Sequence, residues 1–371
     1  MTDEPRTNET INRTEEGVDI SSIRRLSVPI GLFLIVVLLR PLVSHPLLLG
    51  YGQIATTMLI WMLFVASFNL LLGYSGMLSF GHAIFLGAGA YGVAIGIAKF
   101  SAPYAIVAPT AIAVAGVIAY LIARLIVHKG EIYFAMLTLA FVEAVQFVAN
   151  YNPMGLTGGA QGLSGDTLPA FIQTYRGQML VNLGGFSVDW YYVVGLVFFV
   201  SMLALWQVVR SPFGRSLIAI RENEELARAM GMNTRWYKAW AFTLSGMFAG
   251  LAGALIEIND QGATLSLLSV QTSGDAILMT VLGGANYFFG PLAGVFMWLF
   301  AEDYLTNFET LYLQLAEFPI VGVELSGVLA YWQFLLGLLF VIAVLVSPRE
   351  GLWGLTKSGI ESAYNWLRSY Q

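Results

Sequence analysis

Apolar residues fall in long runs along most of this chain, bounded by polar or glycine-rich connectors. The first run, Leu26–Leu39, follows Arg24 and Arg25. The others are Ile54–Leu72, Ala83–Ala98, Tyr104–Val127, Ile132–Ala149, Trp190–Val209, Ala239–Ile256, Ser266–Leu282, Gly290–Ala301 and Val328–Val346. A helix rising ~1.5 Å per residue needs about 20 residues to cross roughly 30 Å of hydrocarbon. The pattern therefore predicts an all-α, polytopic membrane protein with about ten membrane segments, some short or broken. Residues 26–347 form the membrane domain, with a long connection at 150–189 and a basic one at 210–238. The tail 1–25 is polar and mixed in charge, so it is read as disordered or surface-lying. A second polar tail covers 348–371. No small-x-small cleavage site follows Leu26–Leu39, and further runs do. An uncleaved first span, with Arg40 snorkelling at its outer end, is favoured over a signal peptide.

Composition sharpens the class. The chain is 57% hydrophobic and only 11% charged, against about 25% charged residues in soluble domains. A mean hydropathy of +0.71 agrees. Soluble enzymes, nucleic-acid binders and disordered scaffolds are excluded. There is no cysteine, and His45, His82 and His128 show no metal-ligand spacing. No phosphate-cradling loop is present: Gly354 to Ser358 comes nearest but lacks a glycine before Lys357. Any ATP used must bind another chain. The net charge of −5 says little about partners, because charges gather at the ends of runs and in connectors. Lys and Arg favour cytoplasmic loops. With the N-terminus inside, only Arg40, Lys99 and Arg176 of the 18 basic residues fall outside. Both termini are therefore expected in the cytoplasm.

Two stretches interrupt the apolar pattern. Gly73–His82 holds three glycines, two serines and a histidine, and Gly283–Pro291 repeats the theme between two shortened runs. Irregular backbone at membrane depth persists only where protein buries it or it lines a wet cavity. Paired glycine or proline interruptions mark substrate paths in transporters. Ordinary interhelical turns and close helix packing are the competing reading. On the first reading, Ser75, Ser79, His82, Gly283, Gly284 and Asn286 are candidate pathway residues.

Glu143 lies in the middle of Ile132–Ala149, with Gln146 on the same helix face. Ionisable groups within spans usually face a cavity or a partner, so Glu143 joins the pathway candidates. A structural hydrogen bond to a neighbouring helix is the alternative. Asp275 lies inside Ser266–Leu282. Glu257, Asp260, Glu302 and Asp303 sit nearer run ends and are expected to be solvated. The connection 150–189 contains Thr157–Gly165, rich in glycine, without a lysine or helix start for phosphate. A docking surface or lid is expected there.

The basic connection is the most legible stretch. Ser211 reads as an N-cap before Pro212 at the first helical position, opening a helix to about Ile220. Asn223 caps a second helix, Glu224–Met230, with its acids in the first turn and Gly231 as its stop. So short a helix needs something to pack against. Glu224, Ala227, Arg228 and Gly231 share a face, flat enough to enter a partner's groove. A solvated basic loop would explain the arginines but not the capped helix. A coupling helix is the better reading, with Arg221, Asn223, Glu224, Glu225, Ala227, Arg228 and Gly231 as candidate contacts to a cytosolic motor.

Arg221–Gly231, then Tyr237-Lys238 and Ala249–Leu255, closely resemble the M-type permeases of branched-chain amino acid ABC importers. Matching stretches follow in the same order: Asn69–Gly76 with Ser79–His82, Tyr133–Phe141, Thr157-Gly158-Gly159 with Gly162-Leu163, Val281–Gly284, Gly290-Pro291 and Ser347–Leu352. The resemblance covers about residues 50 to 355. It implies a second homologous permease, two cytosolic ABC ATPases, an extracytoplasmic binding protein and a plasma-membrane location. ATP and magnesium would sit on the partner subunits, with no cofactor on this chain. Glu225, Leu226 and Ala227 occupy the E-A-A of the importer motif, with leucine replacing its first alanine. Asp275 stands where relatives often carry glutamate. Urea and short-amide importers use closely similar permeases. An autonomous channel or ion-coupled carrier rests only on Glu143 and Asp275. An intramembrane enzyme would rest on His82 near Ser79, without an evident third group to orient them.

Overall fold

The computed structural model describes residues 20–45, 52–164, 172–175, 178–183, 186–315, 332–346 and 351–354. Most of both expected tails, and the beginning of the run Val328–Val346, lie outside them. Helices dominate: α1 (Ile20–Val43), α2 (Ile54–Asn69), α3 (Ala83–Phe100), α4 (Tyr104–Ile126) and α5 (Glu131–Tyr151) come first. After the long connection follow α6 (Trp190–Arg210), α7 (Pro212–Glu222), α8 (Glu224–Ala229), α9 (Thr234–Asp260), α10 (Val270–Gly283), α11 (Gly290–Leu315) and α12 (Trp332–Val346).

Among the described residues, six helices are long and apolar enough to cross a membrane. They are α2 with the π-helical turn Leu70–Ser75 that prolongs it, then α3, α4, α5, α6 and α9. The apolar part of α1, Ser27–Val43, is shorter. The expected run Ser266–Leu282 starts as a 3₁₀ turn, Leu265–Leu268, and becomes helical only at Val270, where Ser269 accepts the Thr272 amide at 3.2 Å. With 14 residues α10 is only roughly 20 Å long. α11 outruns the expected Gly290–Ala301, because Glu302 and Asp303 do not break a helix and no proline follows before Pro319.

α2 and α9 form the centre, 83% and 78% buried over their apolar windows, whereas α5 is only 22% buried. α9 packs on α2, α3 and α4; α2 also meets α6, α10 and α11. Lipid tails are as apolar as leucine, so helices in a bilayer associate through tight van der Waals contact at small residues. A β-carbon on Gly253 would collide with the Leu86 carbonyl, and one on Gly89 with the Gly250 carbonyl. The α3–α9 pair is thus packed backbone to backbone.

Burial corrects one expectation. Glu257 is not solvated but 0% exposed, because the last turns of α9 stay enclosed by their neighbours. Asp260, Glu302 and Asp303 do remain partly accessible. The connection 150–189 also holds strands that were read as loop. β1 (Leu163–Ser164) pairs with β5 (Gly262–Ala263), tying it to the end of α9. β2 (Ile172–Tyr175), β3 (Gln178–Leu183) and β4 (Phe186–Asp189) form an antiparallel meander. Asp189 then caps α6 through the Tyr191 amide at 3.0 Å and pairs with Arg40 at 2.7 Å, joining the ends of α1 and α6.

Adding one methyl at Gly253 or Gly89 should destabilise the α3–α9 pair by about 1–3 kcal/mol through overpacking. Gly337→Ala, with nothing within 4 Å of the added carbon, should cause no loss of stability. Thermal unfolding of the detergent-purified variants checks both expectations.

Candidate functional site

The first glycine-rich stretch leaves α2 through a π-helical turn. Gly76 takes a left-handed conformation at φ +70°, and residues 76–79 belong to no helix or strand before a turn leads into α3. Irregular backbone among helices must find partners outside the helical pattern. Polar side chains from distant runs supply them. The Phe80 amide donates to Thr138 Oγ1 at 3.1 Å, and the Ala83 amide donates to Ser273 Oγ at 2.9 Å. Gly81 lies against the Thr138 carbonyl, where a β-carbon would come within 2.7 Å.

The pathway candidates in this stretch are enclosed. Ser75 donates to the Leu71 carbonyl at 2.8 Å, and Ser79 accepts the Gly81 amide at 3.3 Å. His82 is fully buried among the rings of Phe64, Phe68 and Phe85. Its partner is Ser67, with Nε2 3.0 Å from Oγ, and not Ser79. Ser67 gives its one proton to the Phe64 carbonyl at 2.6 Å. Nε2 is therefore the donor to Ser67, and Nδ1 is left as the acceptor. The Ser79–His82 pair imagined for an enzyme does not form.

The second stretch meets the first. Gly283 and Gly284 are buried, and Gly284 has φ +105°. Gly73 lies against the Ala285 carbonyl, and Asn69 Nδ2 donates to the Tyr287 carbonyl at 3.3 Å. Arg221, at the end of α7, joins both breaks: Nη1 donates to the Gly73 carbonyl, and Nη2 donates to Asn286 Oδ1 at 2.8 Å. A residue expected to contact the motor also braces the two glycine breaks. Asn69, Thr138 and Ser273 were not singled out in the sequence. The available signal was a polar residue in an otherwise apolar run.

Beside the first break, Gly76, Leu78 and Phe80 line one wall of a cavity of about 510 Å³, with Glu131, Ile132, Ala135, Met136 and Leu139 of α5 opposite. Ile132, Met136, Leu139, Glu143 and Phe147 form one exposed stripe along α5. Glu143 stands one turn beyond the cavity, in the middle of that stripe, and Gln146 beside it is half-buried.

The hairpin α7–α8 follows its sequence signals closely. Ser211 Oγ accepts the Gly214 amide at 3.3 Å, and Asn223 Oδ1 accepts the Leu226 amide at 2.9 Å. Gly231 stops α8 at φ +84°. The orientation differs from expectation. Ala227 is only 4% exposed and packs against the chain itself, whereas Arg228 and Gly231 of the same face stay exposed. Glu224 holds α8 there, with Oε1 accepting from Arg228 at 2.8 Å and Thr234 at 3.0 Å, and Oε2 accepting from Lys238 at 2.6 Å. Partial burial pushes the Glu224 carboxyl upward, but the Lys238 ammonium and the other donors outweigh it and hold it below its usual range. The outward side presents Glu225, Leu226 at 58% exposure and Met230 at 75%.

Residues 50–344 match the family model for the branched-chain amino acid transport system permease component. The chain belongs to this permease family. It is 27% identical over 295 residues to the high-affinity branched-chain amino acid transport system permease protein LivM of Escherichia coli, covering 75% of this chain and 69% of that protein. The Salmonella typhimurium LivM is 26% identical over 308 residues, covering 79% and 71%. The autoinducer 2 import system permease protein LsrC of Salmonella paratyphi B is 24% identical over 218 residues, covering 54% and 58%. No solved structure matches. The permease is a multi-pass transport subunit that works with other transporter subunits, and it is not an enzyme.

Arg221→Ala should quicken amide exchange at residues 73–76 and 284–288 together, by about tenfold or more if the lost bonds contribute ~1.4 kcal/mol. Exchange in the centres of α3 and α9 should not change. Asn286→Ala should loosen mainly the second break. Hydrogen-exchange mass spectrometry reads all three.

Proposed function

We propose that this permease forms, with a second homologous permease, an alternating-access pathway for leucine, isoleucine and valine. The observation that carries the reading is the α5 stripe. Its apolar side chains suit lipid or protein equally, but Glu143 among them does not suit lipid. An acid at the centre of a span costs about 2.5–3.5 kcal/mol on insertion scales. A facing permease removes that cost. Between two such faces, apolar walls accept an aliphatic side chain while Glu143 balances the ammonium group of an amino acid. The cavity between α5 and the first break marks where that surface meets irregular backbone. Relatives named for branched-chain amino acid transport support the cargo.

The rest of the assembly follows from the same scheme. An extracytoplasmic binding protein delivers the substrate, and two cytosolic ATPases carry ATP and magnesium, leaving no cofactor on this chain. The basic end of the bundle, with α7, α8 and both termini, faces the cytoplasm. All ten runs serve as membrane segments of a plasma-membrane protein, α10 being a short, broken one. α8 docks in an ATPase groove through Leu226 and Met230. Movement of α8 then reaches the substrate path through α7 and Arg221, because one side chain grips both breaks.

Purified permease pair, ATPases and binding protein in liposomes should take up leucine, isoleucine and valine in an ATP-dependent manner. Urea, short amides and autoinducer 2 are the control substrates. Uptake of a control but of none of the three amino acids would overturn the substrate assignment. Glu143→Leu should lower uptake per assembled complex at least about tenfold, the effect of losing roughly 1.4 kcal/mol of transition-state stabilisation. Unchanged uptake would remove Glu143 from the path.

The docking role of α8 has its own test. Leu226→Asp and Met230→Asp should release the ATPases on co-purification while the permease pair stays intact. Retention of the ATPases by both variants would exclude this face as the contact.

A further inference from the structure

A separate cavity of about 580 Å³ opens between the end of α4 and the start of α9, on the same end of the bundle as α7 and α8. Arg124, His128 and Arg235 line it together with Tyr120, Trp236 and Trp240, and no acidic residue does. Among the described residues no carboxylate pairs with Arg124 or Arg235. The rings form a continuous wall: Tyr120 to Trp240 is 6.0 Å between centroids, Trp236 to Trp240 is 6.1 Å, and the Arg124 guanidinium lies 6.0 Å from the Tyr120 ring. The start of α9 adds the positive end of a helix dipole.

We propose that this cavity binds the headgroup of an anionic phospholipid. Basic residues solvated at a membrane border would satisfy the general charge bias of such loops, but they would not need a concave, acid-free pocket. Tryptophan and tyrosine rings are the side chains that settle at headgroup depth, apolar below and hydrogen-bonding above. The α4 surface next to the pocket residues Tyr120 and Arg124 fits the rest of the lipid. Val114, Val117, Leu121 and Leu125 form an exposed apolar strip along α4, spaced as one helix face, on which acyl chains can lie. A free phosphate would have no use for that strip. An ATPase subunit would not need it either, since its docking helix α8 presents other residues.

The test uses the delipidated assembled complex, titrated with phosphatidylglycerol, phosphatidylcholine or inorganic phosphate and read by thermal shift and native mass spectrometry. Phosphatidylglycerol should give a saturable stabilisation with a retained lipid adduct, and the other two should not. The double variant Arg124→Gln with Arg235→Gln removes the charges from exposed positions and should raise the half-saturating lipid concentration at least about tenfold. Arg215→Gln, an exposed arginine of α7 outside the pocket, should leave it unchanged. Equal stabilisation by phosphatidylcholine or by phosphate would overturn the lipid assignment. So would an unaltered titration of the double variant, or loss of its ATPase subunits with the lipid response intact.

Discussion

Backbone that leaves the helix within a membrane must find hydrogen-bond partners inside the protein, because hydrocarbon offers none. The rest of this structure depends on how that demand is met at residues 76–82. Thr138 from α5 and Ser273 from α10 take the amides of Phe80 in the turn and of Ala83 at the start of α3. Asn69 reaches the second break directly, and Arg221 reaches both at once. Each of these residues comes from a different part of the chain, so the break is a junction of elements. Small residues complete it: Gly73 and Gly81 let backbone approach where any side chain would intrude.

This junction sits between two regions of different character. Towards the centre, α3, α4 and α9 pack so closely that glycine replaces side chains at their crossings. Towards the rim, α5 leaves most of its surface uncovered. A rigid centre with a bare helix on one side is the form expected of a subunit completed by a neighbour. The brace on Gly73 and Asn286 comes from α7, which continues into α8. That link is short and polar. It runs through one guanidinium whose planar fork can satisfy two acceptors together.

The hairpin α7–α8 shows how far local signals reach. Its caps, its proline and its terminal glycine were all legible, because each acts on backbone groups within a few residues. The burial of Ala227 against the chain was not. Glu224 has one partner on its own helix, Arg228, and two beyond it, Thr234 and Lys238. Their combined grip turns Ala227 inward. Glu257 failed for a similar reason: nearness to the end of a run predicts access to water only if neighbouring helices do not rise around it.

By itself the sequence determined the membrane class, most of the helical runs, the two breaks and the capped hairpin, and its ordered motifs pointed to the permease family. These depend on hydrophobic length and on contacts between near neighbours along the chain. Only the tertiary structure decided that the two breaks touch, that Arg221 spans them, that His82 pairs with Ser67, and that Glu143 stands uncovered on α5. In a chain this apolar, lipid-facing and protein-facing positions use the same residues, so composition cannot say which face of a helix is covered. Packing of distant helices settles it, residue by residue.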